Sequence, residues 1–388
     1  FLYFWCGKSK TNLLPIAIGA KTKKEMIYRA IGLMSGSSLD GLDIVFAEFQ
    51  ENGGKWNYEI MEADCYPYST EWMQRLQHAT SLSALDYQLL HAEYGHYLGQ
   101  EVNRFIEEKG LHYKVALIAS HGHTTFHVPA KKMTAQLGDG AAIAAITQLP
   151  VVSDLRAMDV AFGGQGAPIV PVGEKLLLSG YDYFLNIGGI ANISSSSGIA
   201  FDVCPANRVL NMLANDTGKE YDENGAMASS GTINKELLEK LNDLDYYKQS
   251  HPKSLANDFG TGVVYPIIKK SGVEIYDALK TYTEHIALQI KNAIWNLKTG
   301  QKATSNSQLL ATGGGAFNIF LIERLKDQLQ ELNIDVIIPE EKLVKYKEAL
   351  IMGLIGVLRW RENYNVLPSV TGAARGSIGG ALWMGQEE

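Results

Sequence analysis

The sequence predicts an α/β protein in which two similar domains pack around a shared cleft. Two stretches carry the same order of short strands joined by glycine and polar turns, one beginning near Ile27 and the other near Asp182. In both halves, helical patterns and apolar strand-like runs follow these turns. Because no linker rich in proline or serine separates the halves, we expect them to pack against each other.

The first half begins as a meander of strands and continues into helix. Apolar patterning predicts strands at YRAIGLM, LDIVFAEF and YEIMEA, followed by a helix over about 87–108. The run VALIAS is typical of a buried parallel strand, and the alanine-rich stretch 138–149 predicts a closely packed helix. We expect residues 27–150 and the C-terminal segment 366–388 to form the first domain.

The second half repeats this order. DYFLNIGG, ANISS and IAFDV predict short strands, and apolar residues at helical spacing predict a helix over 276–298. QLLATGGG and the following residues 318–329 predict a strand, a glycine loop and a helix, and IDVIIP predicts a further strand before the last long helix. We expect residues 151–365 to form the second domain.

Composition and charge argue against several kinds of partner. The net charge of −7 and the pI near 5.8 provide no field that would hold nucleic acid or an anionic membrane. Cys6, Cys65 and Cys204 show no C-x-x-C spacing, which favours reduced thiols in a cytoplasmic protein. In residues 1–26 an apolar run precedes the lysines, which reverses the order of a secretory signal, so we expect an extension outside the core.

Three glycine-rich segments are candidates for phosphate binding. The segment GLMSGSSLDG, at 32–41, lets backbone N–H groups approach a phosphate, and Asp40 can hold Mg²⁺ through water. NIGGIANI, at 186–193, stands where a duplicated chain would carry a second such hairpin, and ATGGGAFN, at 311–318, joins a strand to a helix. The spacings of a Walker A loop and of a dinucleotide fold are both missing. On these residues alone, a plain β-turn explains the first segment equally well.

Seven segments, in order, resemble the anhydro-N-acetylmuramic acid kinase family: GLMSGSSLDGLD, SHGHTTFHVP, SDLRAMDVAFGGQGAPIVP, LNIGGIANIS, YDENGAMASSG, ATGGGAFN and LPSVTGA. The likeness runs from about Ile27 to the C terminus. It implies the fold of actin, hexokinase and Hsp70, in which two RNase H-like domains enclose an active-site cleft. It also implies that ATP and water open the 1,6-anhydro ring of the sugar and place a phosphate on O6, giving N-acetylmuramate 6-phosphate for peptidoglycan recycling.

The resemblance also implies the site residues. It assigns Asp202 as the general base, since attack at C1 needs a deprotonated water, and Glu348 as an acidic group near that water. Arg156 is suited to a bidentate grip on the lactyl carboxylate. The sugar contacts implied are His121, His127, Asp154 and Arg156. The ATP and phosphate contacts implied are Gly32, Ser35, Gly36, Ser37, Ser38, Asp40, Gly41, Gly188, Gly189, Gly313, Gly314, Gly315 and Asn318.

The implied cofactors are ATP and Mg²⁺, with Asp40 near the metal, and the implied partner is a small amino sugar, with a homodimer as a further expectation. The chain departs from the family at the base motif, where Asp202-Val-Cys-Pro-Ala-Asn207 replaces Asp-Thr-Gly-Pro-Gly-Asn. Cys204 and Ala206 add side chains where a ligand would otherwise meet bare backbone. In addition, Pro-Lys-Ser at 252–254 lacks the following Gly-Arg, and His123 stands where glutamine is usual.

Other interpretations of these residues stay open at this point. The altered base motif is compatible with a kinase for another sugar, or with a binding protein that has lost turnover. His121, His123 and His127 suggest a metal-dependent hydrolase, although zinc sites usually show a fuller ligand set. Purely structural roles are also open: Arg156 could form an ion pair with Asp154 or Asp159, Asp202 could cap a turn, and Cys204 could be a small buried hydrophobic residue.

Overall fold

The computed structural model describes residues 26–36, 39–251, 253–256, 258–298 and 306–385, which form two mixed sheets with helices packed on them. The strands of the described chain are β1 Met26–Ser35, β2 Gly41–Asn52, β3 Lys55–Pro67, β4 Leu117–Val128, β5 Met133–Leu137, β6 Val151–Ser153, β7 Tyr183–Ile187, β8 Ile190–Ser195, β9 Ala200–Pro205, β10 Ser307–Thr312, β11 Ile334–Ile337 and β12 Ala381–Trp383.

The α-helices of the same residues are α1 Thr70–Gln77, α2 Ala84–Glu108, α3 Gly140–Thr147, α4 Ala157–Ala161, α5 Pro171–Leu177, α6 Asn207–Asn215, α7 Ala226–Ser230, α8 Lys235–Asn242, α9 Asp245–Lys248, α10 Tyr265–Lys270, α11 Ile275–Lys298, α12 Ile319–Gln330, α13 Glu341–Trp360 and α14 Pro368–Thr371. Short turns of other helix types lie at Ala79–Ser81, Pro129–Lys131, Glu223–Gly225, Phe259–Val264 and Gly314–Phe317.

Both sheets share one strand order. In the first, β1, β2 and β3 form an antiparallel meander, β4 is parallel to β1, and β6 is parallel to β4. In the second, β7, β8 and β9 form the meander, β10 is parallel to β7, and β11 is parallel to β10. This repeated order is that of RNase H-like domains. It confirms the predicted fold class and the internal duplication that the sequence suggested.

Helix α13 lies between the two sheets. Its residues 349–358 are all buried, as expected for a helix that is apolar on every side. One apolar cluster joins this helix to Val45 of β2, Phe184 of β7 and Leu310 of β10. A Cβ on Gly32 would overlap the carbonyl oxygen of Ala349, so the glycine lets α13 approach β1 closely. This close approach fixes the position of the neighbouring residue, Glu348.

Each sheet also has a core on its outer face. In the first, apolar side chains of β1 and β2 pack against α2 and α3, and in the second those of β7 to β9 pack against α6, α11 and α12. β6 begins at the predicted domain boundary and pairs with β4, while β12 pairs with β6. The division into domains at 150 and 365 stays a prediction. The extension predicted at 1–26 lies outside the described residues, apart from Met26 at the start of β1.

Candidate active site

Two of the three glycine segments lie side by side at the carboxyl edge of the second sheet. Because β7 and β10 are parallel neighbours, Gly188–Gly189 and Gly313–Gly315 follow adjacent strand ends. Asn207, which begins α6, donates from Nδ2 to the carbonyl of Ile187 at 3.1 Å and also lies against Gly314 and Gly315. The N-terminus of α6 therefore meets both loops. The backbone N–H of Asn207 donates to the carbonyl of Gly188 at 3.0 Å, so it is the dipole of the helix that would favour an anion here.

The glycines of these loops serve two different purposes. Gly313 has a φ of 82° and lies against Asn186, and a Cβ on Gly315 would overlap Ile187, so both are required for packing. At Gly188, Gly189 and Gly314, in contrast, an added Cβ would meet no atom closer than 3.6 Å. This open space above the backbone is where a phosphate can approach.

Asn318 has a structural role in the second sheet's glycine region. It is the N-cap of α12, and its Oδ1 accepts a hydrogen bond from the backbone of Leu321 at 3.0 Å. Capping engages the side-chain oxygen, whereas a contact with phosphate would use the amide nitrogen as donor. The nucleotide contact of Asn318 stays a prediction.

The first glycine segment divides into packing residues and a hairpin tip. Gly32 is buried against α13, and a Cβ on Gly41 would lie 2.7 Å from the Sγ of Cys65 in β3. These two glycines allow close packing of neighbouring elements, and phosphate contacts at them stay a prediction. Gly36 is partly exposed and Asp40 is exposed at the tip, while Ser37 and Ser38 lie outside the described residues.

Ser35, at the end of β1, is buried and tightly bonded. Its hydroxyl accepts a hydrogen bond from Tyr68 at 2.8 Å and lies 3.3 Å from Nδ1 of His123. Tyr68 is in turn 2.6 Å from the hydroxyl of Tyr94. Burial lowers the pKa of His123, which therefore remains a neutral hydrogen-bond partner. His123 supports the hairpin in this way and was missed as a site residue by the sequence argument.

His121 and Arg156 form the centre of the predicted sugar site. Nε of Arg156 donates to Nε2 of His121 at 2.8 Å, and Nη1 donates to the carbonyl of Gly166 at 2.5 Å. Nδ1 of His121 lies 2.8 Å from the carbonyl of Gly122, so Nδ1 carries the proton and Nε2 accepts. Burial and the nearby guanidinium lower the pKa of His121 to about 3, and the ring stays neutral.

The remaining sugar predictions have different outcomes. His127 is exposed, and a Cβ on Gly166 would lie 3.5 Å from its Cε1, which places it beside the loop that Arg156 holds. Asp154 is exposed, has a φ of 55° and accepts a hydrogen bond from Ser153 at 2.7 Å. The described contacts of Asp154 do not join it to the group around Arg156.

Asp159 organises the loop behind Arg156. Its carboxylate accepts hydrogen bonds from the backbone of Gly166 and from the hydroxyl of Thr371, both at 2.7 Å. Burial lowers the pKa of Arg156 to about 10, against the opposing effects of Glu348 and Asp159, so the guanidinium remains charged at neutral pH. A fixed cation with part of its donor set used by protein can still receive an anionic ligand.

Glu348 interacts electrostatically both with Arg156 of the predicted sugar site and with Asp43 of the first hairpin. It lies on α13, where burial raises its pKa while Lys347 and Arg156 act in the opposite direction. Burial also raises the pKa of Asp43, on β2, to about 7, and the charges of Asp40 and Glu348 add to this effect. Asp43 belongs to the LDGLD motif but was missed, because the sequence does not show that its carboxyl group is partly buried facing another acid.

Lys347 makes a buried ion pair next to this acidic group. Its Nζ lies 2.9 Å from Oε1 of Glu174 on α5, with both side chains only 4% exposed. The hydroxyl of Ser194, on β8, donates to the other carboxylate oxygen at 2.5 Å. The pair ties α13 to α5 and to the second sheet, close to Glu348.

Asp202 lies on β9, the outer strand of the second sheet, with a set of contacts separate from those around Arg156. Its Oδ2 accepts a hydrogen bond from the backbone of Leu255 at 2.9 Å, and its pKa is raised by burial, an effect that this hydrogen bond partly offsets. The described contacts of Asp202 do not include the group around Arg156. Cys204 and Ala206 are fully buried in the core of the second sheet. Their side-chain atoms thus pack into the core, and an effect of these two residues on sugar specificity or turnover stays a prediction.

The histidines do not converge on a metal site. Within the described ranges, no group of three or more His, Cys, Asp or Glu side chains is arranged to hold a metal ion. His121 and His123 use their ring nitrogens for hydrogen bonds within the fold. Among the described residues, none of the helices combines the length and the apolar composition that a membrane span requires.

A model of the family described as anhydro-N-acetylmuramic acid kinase matches residues 28–385. The chain belongs to the anhydro-N-acetylmuramic acid kinase family. It is 34% identical over 385 residues to the anhydro-N-acetylmuramic acid kinase of Photobacterium profundum, covering 92% of this chain and 99% of the relative. It is also 33% identical to the Clostridioides difficile member, covering 89% and 95%. The family resemblance read from the seven motifs is confirmed.

Solved structures of lower similarity include component A of the (R)-2-hydroxyglutaryl-CoA dehydratase of Acidaminococcus fermentans. Its TM-score is 0.42 at 14% identity, covering 85% of this chain and 97% of that chain. The activator of the 2-hydroxyisocaproyl-CoA dehydratase of Clostridium difficile, with bound ADPNP, has a TM-score of 0.39. The fold of this member of the anhydro-N-acetylmuramic acid kinase family rests on its own repeated strand order, not on these two structures.

Proposed function

We propose that this protein is an ATP-dependent kinase that opens the 1,6-anhydro bond of anhydro-N-acetylmuramic acid and phosphorylates O6. Water adds to C1, the bond between C1 and O6 breaks, and O6 takes the γ-phosphoryl group of ATP as ADP leaves. The products are N-acetylmuramate 6-phosphate and ADP. Membership of the family supports the reaction class, and the arrangement of the loops supports the use of a nucleotide.

The observation that carries the proposal is the open backbone of two neighbouring loops at the N-terminus of α6. Gly188, Gly189 and Gly314 leave room for phosphate oxygens, and the helix adds a partial positive charge. Asp202 accepts the proton of the attacking water, since its raised pKa makes it a better base than an ordinary aspartate. Arg156 binds the lactyl carboxylate of the sugar.

Mg²⁺ fits this chemistry. Asp40 is an exposed carboxylate at the tip of the first hairpin, and Mg²⁺ is commonly held by one or two carboxylates together with phosphates and water. When bound, the ion would neutralise charge on the phosphate oxygens. We further propose that the protein acts in the cytoplasm, where ATP is available, and that the predicted two-domain division encloses the site. The homodimer stays a prediction.

Full burial of Cys204 and Ala206 supports retained turnover. Because these side chains lie in the core, they add no bulk on the solvent-facing side of the base motif. The altered base motif was the main reason to consider a binding protein without turnover, and burial of these side chains weakens that reason. No contact of the described residues favours a different sugar.

The test is an incubation of the purified protein with Mg-ATP and anhydro-N-acetylmuramic acid, followed by mass spectrometry. The expected product is heavier than the sugar by one phosphoryl group and one water. A matched control is the anhydro sugar without its lactyl group, which Arg156 cannot grip and which should react poorly. Absence of any sugar phosphate, or a product that has gained a phosphoryl group without water, would overturn the proposal.

A further inference from the structure

We propose that Tyr246 is a positioning residue that holds the carboxylate of Asp202 at its working angle. The proposal rests on the proposed function, because it assigns a purpose to the surroundings of the base. Tyr246 lies on α9, outside the motifs that carry the family resemblance. Its hydroxyl donates to the backbone carbonyl of Asp202 at 2.6 Å.

One short segment of the chain engages Asp202 at three points, through Tyr246, Lys253 and Leu255. Besides the bond from Tyr246, the backbone N–H of Asp202 donates to the carbonyl of Lys253 at 3.4 Å. The N–H of Leu255 donates to Oδ2 at 2.9 Å. Since β9 is the outer strand of its sheet, this segment also covers a strand edge that would otherwise have unpaired polar groups.

The hydroxyl of Tyr246 is held firmly. The side chain is only 8% exposed, and its ring contacts Phe259 with 5.6 Å between centroids. The ammonium of Lys253 lies 4.5 Å above the ring and donates to the carbonyl of Tyr246 at 3.2 Å. Burial and the nearby Asp202 raise the pKa of Tyr246, so the phenol remains a hydrogen-bond donor.

The far end of the base motif has a similar anchor. The hydroxyl of Tyr282, on α11, donates to the carbonyl of Pro205 at 2.8 Å, and Tyr282 is fully buried. Two tyrosines from different helices therefore hold the backbone on either side of Val203 and Cys204. With the main chain fixed at both ends, the direction of the Asp202 side chain depends on the bond from Leu255.

This bonding pattern leaves one carboxylate oxygen for chemistry. Oδ2 receives the N–H of Leu255, whereas Oδ1 accepts no hydrogen bond from the residues that the structure describes. An oriented carboxylate with one free oxygen is what a general base needs to receive a proton from a bound water. Tyr246 contributes by keeping the strand and the covering segment in register.

The test compares Tyr246→Phe with the parent in steady-state kinetics across pH. Loss of the hydroxyl should lower kcat by roughly ten- to a hundredfold, because small displacements of a reacting group are costly. The KM values for ATP and sugar should change little. The hydrogen bond from Leu255 favours the charged carboxylate of Asp202, and loosening the segment weakens this bond. The pKa of Asp202 should then rise, so the acidic limb of the kcat profile should move to higher pH.

Tyr247→Phe is the matched control. The Tyr247 hydroxyl lies 3.1 Å from Nε2 of His285, and among the described residues it makes no hydrogen bond to the base motif. This variant loses one hydroxyl from the same helix and should keep the parent pH profile. A kcat and acidic limb in Tyr246→Phe that match those of Tyr247→Phe would overturn the proposal. An inactive parent would instead overturn the proposed function, and circular dichroism would show whether both variants fold.

Discussion

Replacement of Glu174 with glutamine is expected to destabilise the protein by about 3–5 kcal/mol. Glu174 and Lys347 are both 4% exposed and 2.9 Å apart, so the change leaves an ammonium group buried without its carboxylate. The Ser194 hydroxyl would also lose a charged acceptor. The neighbouring carboxyl of Glu348 can compensate in part, which favours the lower end of the range. The measurement is the free energy of unfolding in urea near neutral pH.

A matched pair on the same helix provides the control. Glu341 and Lys345 form an ion pair on α13 with side chains 67% and 48% exposed. Glu341→Gln should cost no more than about 0.5 kcal/mol, because solvent screens exposed pairs. Replacing both Glu174 and Lys347 with methionine should recover much of the loss. If Glu174→Gln costs no more than Glu341→Gln, the reasoning from burial is refuted.

Two further changes test the site. Arg156→Lys should raise the KM for the sugar by roughly tenfold or more while the KM for ATP stays constant, because one ammonium group cannot replace the guanidinium fork; equal KM values would contradict this role. The pKa of Asp43 is raised from 3.8 to about 7, so the folded state binds the proton more tightly than the unfolded state. Stability from this group is therefore present at low pH and lost as pH rises towards about 7. The free energy of unfolding in urea should be lower at about pH 8 than at about pH 5 in the parent, and this fall should be absent in Asp43→Asn. An equal fall in both proteins would exclude Asp43 as its cause.

Elements with strong local patterns were predictable from sequence. The predicted helix at 276–298 is α11, Ile275–Lys298, and the predicted strand, glycine loop and helix after 307 correspond to β10 and α12. The short helices between 207 and 270 carry fewer turns of apolar spacing, and one of them is joined to the π-helix Phe259–Val264. Tertiary contacts decide such segments, so local pattern was not sufficient.

The roles of individual glycines were the least predictable part of the site. Gly32 and Gly188 both follow apolar strand residues, yet Gly32 packs against a helix whereas the space above Gly188 is open. The difference depends on α13, which is more than three hundred positions later in the chain than Gly32. The raised pKa of Asp43 is due first to burial, and it likewise includes an effect of Glu348 across that separation. Sequence spacing alone does not reveal either contact.

The most direct test of the proposed mechanism is the rate of sugar phosphate formation by Asp202→Asn. Asparagine has a similar shape and still accepts a hydrogen bond from Leu255, but it cannot take a proton from water. The expected result is a fall in kcat of about a hundred- to ten-thousandfold with nucleotide binding retained. A variant as fast as the parent would contradict the assignment of Asp202 as the base.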